Sequence, residues 1–291
     1  MQRSFRRRRF NLKPYLFVLP ILVFAVWFVF YPFLRTILSS VSLVNASGEI
    51  LSYVGLDNFR YMLEKREFKA AFANTVTLTA VNVPVTVVIS LLLAVLATKK
   101  RPLSPVYETL FSLPMALSMA TISLIFRLMF SPNVGIINRL LGTDLGWFED
   151  ESTAMGTMLI LTVWMGVSFN YLLFLSAFRG IPADRIGASQ VDGANAIQTL
   201  IHVRIPAIMP TIVYVVATNA ILAIMTSGPV MIITKGGPNR ATSTLIYMMY
   251  TSGYASSNDS LAACVSLVAF LLAFTFTFLT LFLDRKKVKA G

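Results

Sequence analysis

Residues 181–206 read Ile181-Pro-Ala-Asp-Arg-Ile-Gly-Ala-Ser-Gln-Val-Asp192-Gly193-Ala194-Asn-Ala-Ile-Gln-Thr-Leu-Ile-His-Val-Arg-Ile-Pro206, a polar, small-residue insert between two long apolar runs. Pro182 suits the first turn of a helix, and residues 183–191 have helical composition. Asp192-Gly193 interrupts that helix. The glycine permits a sharp change of direction, and Asp192 is placed to cap a second helix beginning near Ala194. Pro206 closes the second helix and opens the next apolar run. The expectation is a helix, a corner and another short helix. Small residues (Gly187, Ala188, Gly193, Ala194, Ala196) permit close approach by another protein, and Ile186, Val191, Ile197 and Ile201 could anchor the element in a groove. The residues leave a second reading open, in which the same element packs on its own bundle.

Outward from this insert the chain is dominated by apolar stretches, at roughly 14–38, 70–98, 106–130, 153–178, 207–233 and 261–283. Each meets the ~20 residues that a helix needs to cross a bilayer core. Helices are the default, because backbone polar groups in lipid must be paired within the segment. The composition agrees: 56% of residues are hydrophobic and 13% charged, against about 25% charged in soluble domains. The fold class is an all-α membrane protein with six transmembrane helices. Pro20, Pro32, Pro84 and Pro114 fall inside the runs, as packing kinks or as hinges. The first run follows Arg3 and Arg6–Arg9 as a signal peptide would, but Trp27, Phe28, Phe30 and Tyr31 occupy the place of a small-residue cleavage site, so it is expected to be an uncleaved helix.

Charge sets the orientation. With the N-terminus in the cytoplasm, six spans return the C-terminus there. Sixteen of the 25 Lys and Arg then lie inside, with four of the 13 acidic residues, and the outer side balances. This is the positive-inside pattern. The net charge of +12 is a topological signal, reinforced by anionic lipid, and not a nucleic-acid footprint. The outer segments 44–69 and 131–152 carry mixed charge, including Glu149, Asp150 and Glu151, and read as solvated faces or docking surfaces. The chain divides into 1–69 (basic N-terminus, first helix, outer segment), a five-helix core at 70–285 containing the loop 181–206, and a basic tail at 286–291. One cysteine and one histidine leave no material for a metal site or a disulfide.

The insert resembles the cytoplasmic coupling loop of ABC importer permeases of the maltose and glycerol-3-phosphate type, written close to I-P-x-x-L-x-E-A-A-x-x-D-G-A and ending in a proline. Ile181, Pro182, Ala188, Asp192, Gly193, Ala194, Ile205 and Pro206 match, whereas Gly187 stands where the family usually has glutamate and Ser189 where it has alanine. A second similarity follows the fifth run, at Ile233-Thr-Lys-Gly236-Gly237-Pro238, a tight outer turn, continuing through Ala241-Thr-Ser-Thr-Leu-Ile-Tyr247. Val54-Gly-Leu-Asp-Asn-Phe59 is a third.

The resemblance implies a type I importer permease in a bacterial or archaeal cytoplasmic membrane, with both termini cytoplasmic. It implies a second homologous permease, two cytoplasmic ATPases and an external substrate-binding protein, and a sugar, oligosaccharide or related polyol as cargo. Ala188, Ser189, Val191, Asp192, Gly193, Ala194 and Pro206 would couple to the ATPase. On the fourth and fifth spans it selects Thr162, Met165, Gly166, Asn219, Ala223 and Thr226 as the substrate path, with Thr226 in place of a common aspartate. Asn219 and Thr226 are seven residues apart and share a helical face. The polar residues Asn82, Thr162, Asn170, Asn219 and Thr226 equally suit interhelical hydrogen bonding. Trp164 and Tyr171 could stack on a sugar or simply pack. Arg127 either snorkels to the headgroups or meets an anionic cargo.

The chain carries no G-x-x-x-x-G-K-[S/T] phosphate loop, so ATP and Mg would bind the partner ATPase and no cofactor binds this subunit. A secondary transporter working without an ATPase is the alternative, but it would place ionisable residues inside the spans, which hold almost none. A membrane enzyme would need a metal cluster or an acid/base pair at depth, and catalytic residues are accordingly not expected.

Overall fold

The computed structural model describes residues 13–45, 47–99 and 101–288. Basic residues Arg3, Arg6–Arg9, Lys100 and Lys289 lie outside them. The first long helix is α1 (Lys13–Ala25), a π turn (Val26–Phe30) and α2 (Tyr31–Ser40). Pro20 and Pro32 sit within it without breaking it. A two-stranded antiparallel ribbon follows, β1 (Ser42–Val44) and β2 (Ile50–Tyr53), pairing Ser42 with Tyr53. It is an addition to an otherwise helical chain. Helix α3 (Asp57–Glu64) then leads into α4 (Arg66–Thr98). At 33 residues, α4 is about 50 Å long.

Helix α4 shows how the sequence organises the bundle. Its buried stripe includes Ala71, Thr75, Leu78, Thr79, Asn82, Thr86 and Ser90, at spacings of three and four that define one face. Its outer face is Val81, Val85, Val88, Ile89 and Leu92, all exposed. Small and hydroxylated residues therefore point inward and bulky apolar ones outward, as membrane helices pack. The buried hydroxyls of Thr75, Thr79 and Ser90 donate to carbonyls one turn back, which pairs these three within the helix.

The third apolar run is broken. Helices α5 (Ser104–Ala116) and α6 (Met119–Met129) meet at 104°. Pro114 lies one turn before extended Leu117, and the Ser118 hydroxyl accepts from the Thr121 amide to start α6 afresh. Pro84, by contrast, sits inside a continuous α4. A short outer helix α7 (Ile136–Leu141) precedes α8 (Glu151–Arg179), which Asp150 caps by accepting from the Ser152 amide at 3.0 Å. That amide and the Ser152 hydroxyl hold the Asp150 carboxyl below its usual range.

Next come α9 (Ala183–Val191), α10 (Ala196–Thr199), a π turn (Leu200–Arg204), α11 (Ile205–Ala207) and α12 (Met209–Ile224). The segment 196–207 meets α12 at 69°. The break falls at Ile208, with Pro210 in the first turn of α12. The fifth run, expected to reach residue 233, thus stays helical only to Ile224. A break at 225–227 interrupts it, and helical winding resumes at Gly228-Pro229 and runs into a π turn at Val230–Thr234. Helix α13 (Leu245–Tyr250), a last π turn (Thr251–Ala255) and α14 (Asp259–Val288) complete the order. Among the described residues four helices are long and apolar enough to cross a membrane, or up to six if each bent pair is one span.

Two cores hold the bundle. The larger joins α4, α6, α8 and α12 through Leu78, Ile122, Met158, Tyr171, Phe174 and Val215. The smaller sits under the outer segment, where Met62, Phe68, Leu245, Leu261 and Val265 join α3, α4, α13 and α14. Helix α1 belongs to neither and is exposed along its described side chains. Only the far end of this first helix is anchored, where Phe33 of α2 meets Phe270 of α14 at 5.1 Å.

Candidate functional site

At the midpoint of α8, Thr162, Gly166 and Asn170 recur every four residues on one face, turned toward α4 and α12. Gly166 permits the approach: a Cβ there would lie 3.0 Å from Thr86 Cγ2 and 3.6 Å from Asn219 Oδ1. Hydrogen bonds from side-chain amides tie the three helices. Asn82 Nδ2 donates to Thr162 Oγ1 at 2.9 Å, and Asn170 Nδ2 donates to Asn219 Oδ1 at 2.9 Å. Asn219 Nδ2 in turn donates to the Val215 carbonyl at 2.7 Å.

Beside these bonds opens a cavity of about 360 Å³, which all six residues expected on the substrate path line: Thr162, Met165, Gly166, Asn219, Ala223 and Thr226. Asn219 therefore does both things the sequence left open, bonding across helices and lining a cavity. Asn82 and Asn170 join the lining; the sequence marks them as polar residues within spans without assigning them to a path. Met119, Phe169, Leu222 and Met225, with Ser227, Gly228 and Pro229 at the break after α12, complete it. The signal that could have found these last residues is the helix-breaking Ser-Gly-Pro itself, since discontinuous helices in membranes mark binding regions. Two breaks meet here. A Cβ on Gly228 would fall 2.7 Å from Met119 Sδ, so the start of α6 packs directly on the break after α12.

Trp164 and Tyr171 stand away from this cavity. Trp164 packs on Phe126 at 5.3 Å, and fully buried Tyr171 meets the edge of Phe111 at 5.4 Å. Tyr171 is a packing residue, whereas Trp164, 36% exposed, also lines a separate apolar cavity with Val85, Leu110 and Ile160. The aromatic ring at the cavity is that of Phe169. Arg127 lines a separate outer cavity with Glu149.

The outer turn closes that end of the bundle. Lys235 and Gly236 both have positive φ, +50° and +78°, and a Cβ on Gly236 would sit 2.6 Å from the Tyr247 ring. Gly237 lends its carbonyl to the Thr242 hydroxyl at 2.7 Å, and Pro238 follows it. Tyr247 donates its hydroxyl to the Lys235 carbonyl at 2.8 Å, and burial raises the pKa of that phenol, keeping the proton in place. Asn239 donates to Glu151 of α8 at 3.1 Å, and Arg240 pairs with Glu67 of α4 at 2.7 Å. Part of the acidic cluster expected as solvated face is thus occupied in a cap (Asp150) and a clamp (Glu151). At the opposite end Arg179 of α8 pairs with Glu108 of α5 at 2.6 Å and donates to the Ala97 carbonyl of α4 at 3.2 Å.

The helix–corner–helix is present, with its capping corrected. Asp192 ends α9 and Gly193 turns the chain at φ +80°, but the cap of the second helix is Asn195. Its side chain accepts from Ile197 and Gln198 amides while Gln198 bonds back to the Asn195 amide, a capping box. The second helix starts at Ala196 rather than Ala194, because Gly193 and Ala194 are spent in the corner, where the Ala194 amide donates to the Ser189 carbonyl. Pro206 lies inside the run that ends at Ala207 and does not close it. A proline at the start of a helical turn needs no amide partner, so helix passes through it. The corner is locked by the buried hydroxyls of Ser189 and Thr199, 3.2 Å apart. Val191, 88% exposed, and Ile197 and Ile201 remain uncovered, as does Ala188. A Cβ on Gly187 would meet nothing within 4 Å.

A family profile described as "Binding-protein-dependent transport system inner membrane component" matches residues 86–289. The sn-glycerol-3-phosphate transport system permease protein UgpA of Yersinia enterocolitica is 31% identical over 278 residues, covering 94% of each chain. The protein of that name from Pectobacterium atrosepticum is 30% identical over 279 residues, again covering 94% of each. Among solved structures, a bacterial alginate ABC transporter, in complex with an alginate pentasaccharide-bound periplasmic protein, contains a chain that superposes with a TM-score of 0.83. That chain has 18% identity and 99% of both chains are covered. The fold is therefore the type I importer permease fold. The chain belongs to the family of binding-protein-dependent transport system inner membrane components, the membrane-embedded, non-catalytic permease subunits of ABC importers, whose ATP is hydrolysed by a separate chain.

Proposed function

We propose that the cavity between α4, α8 and α12 is this subunit's half of a translocation path for a sugar, oligosaccharide or related polyol, and that a second, homologous permease supplies the other half. The observation that carries the reading is the convergence on one cavity of Thr162, Gly166 and Asn219 with the loop that breaks the fifth span. Unwound backbone beside side-chain amides suits a path that must bind and release a polar solute. The bare first helix supports a companion permease, since the apolar side chains exposed from Leu16 to Leu34 offer another helix a place to pack. Six spans with both termini cytoplasmic agree with the Lys/Arg asymmetry. The N-terminal 1–69 then adds this helix and an outer segment to the core of 70–285. A carrier working without an ATPase does not agree with the family.

The elbow at 181–206 carries the motion of the ATPase into the bundle. Its exposed Val191, Ile197 and Ile201 have the spacing to seat in a groove. Gly193→Pro tests this, because proline fixes φ near −65° where the corner needs +80°. Expected is a complex recovered from the membrane at normal yield, with ATP hydrolysis no longer stimulated by the cargo-loaded binding protein. Normal stimulation would remove the elbow from the mechanism.

A further inference from the structure

We infer that the cavity selects an uncharged polyhydroxyl cargo and excludes phosphorylated and carboxylated sugars; the inference rests on its reading as the cargo-contacting surface. No Lys, Arg, His, Asp or Glu is among its lining residues. The cations of the outer face, Lys65, Lys235 and Arg240, line a different cavity together with Glu67, and Arg127 faces another with Glu149. Arg179 is held by Glu108 at the far end of α8. An anion brought to the midpoint of α8 would leave water without meeting a counter-charge from this chain, and stripping an ion of water costs several kcal/mol even after relaxation.

The hydrogen-bonding capacity of the lining points the same way. The hydroxyls of Thr162 and Thr226 donate to the carbonyls of Met158 and Leu222, at 2.9 and 3.0 Å. Their protons are spent and their lone pairs are what they can offer. A phosphate or carboxylate, which only accepts, could not use those lone pairs, whereas a cargo hydroxyl can donate to them. It can also accept from an amide N–H, and Asn82 and Asn170 each carry two, of which one apiece is bound within the bundle. The remainder of the wall is thioether and ring, with Met165, Met225 and Phe169 suited to the C–H faces of a sugar. The relatives named for sn-glycerol 3-phosphate and the structure solved with alginate handle anions, so the inference sets this chain's cargo apart from theirs.

The test uses the complete importer in proteoliposomes with its cognate binding protein. The compound released from that binding protein, and taken up by the wild-type complex, is identified by mass spectrometry. It is expected to carry neither phosphate nor carboxylate, and either group overturns the inference. Uptake of that compound is then compared in four variants: Thr226→Glu against its size match Thr226→Gln, and Thr226→Lys against Thr226→Met. For an uncharged cargo the two charged variants fall below their matches by factors within about threefold of each other. A loss in Thr226→Glu greater by about tenfold than in Thr226→Lys, a difference of ~1.4 kcal/mol, marks an anionic cargo and overturns the inference while leaving the cavity as the path. Unchanged uptake in all four overturns the path reading itself. Recovery of each variant complex at wild-type yield, with an unchanged size-exclusion profile, confirms that it has folded.

Discussion

Asn219 is where stability and function meet in one side chain. It accepts from Asn170, donates to Val215 and borders the cavity. Asn170 is only 2% exposed, so Asn219→Ala leaves a buried amide without its acceptor. That loss costs about 1–3 kcal/mol, and a lowered unfolding midpoint of the detergent-solubilised complex should report it, together with a fall in uptake. An apolar replacement of both asparagines is expected to recover the midpoint but not the uptake, since the cost of an unpaired partner disappears while the cavity stays dry. The sequence marked Asn219 and Gly166 through a resemblance. The facing of Asn82 and Asn170 was hidden, because α4 and α8 are apolar on nearly every side and their periodicity singles out no face. Packing of small residues, not hydrophobicity, chooses the inner side of such helices.

Among the elements, the broken spans decide the most. Met119 opens α6 and lies against Gly228 at the break after α12, so two discontinuities share one contact at the cavity. A methyl on Gly228 would collide with the flexible end of Met119, which can move aside. Gly228→Ala is therefore expected to fold and to slow uptake several-fold, because the displaced thioether must go into the cavity or out of it. Met119→Ala added to Gly228→Ala should restore most of the rate. Failure of the second change to compensate would show that the two positions act independently. The sequence could not separate Pro114, which precedes a 104° bend, from Pro84, which sits in an unbroken helix: both lack an amide, and the neighbours determine whether the chain turns. The capping of the elbow was readable and was misassigned. Asn195 followed three residues later by Gln198 is a capping-box signature, whereas Asp192, before a positive-φ glycine, lies too far back to reach the first free amides.

Across the whole molecule, α4 and α8 are fastened at both ends and polar in between. Arg179 joins them to α5 at one end, and the outer turn joins them through Glu67 and Glu151 at the other. Exposed ion pairs contribute little to stability, and these serve better as registers that keep the two helices from sliding than as sources of energy. The first helix has no such fastening beyond its α2 end. With Cys264, the single cysteine, changed to serine, a Trp27→Cys variant labelled there with a thiol-attached photo-cross-linker should capture the companion permease in membranes of the full importer. The count of apolar runs and the elbow were legible because length and charge encode them directly. The ribbon at 42–53 was not, since its strands are three and four residues long and leave no alternation to detect.

The bare circumference of that first helix bears on how much of this protein a cell can hold. A rod that is oily all round has no preferred mate until one arrives, and it will adhere to whatever neighbouring rod fits. A copy made in surplus would wander in the lipid as an adhesive fragment. If the proposed second permease is what covers that rod, the two chains would have to be supplied in step.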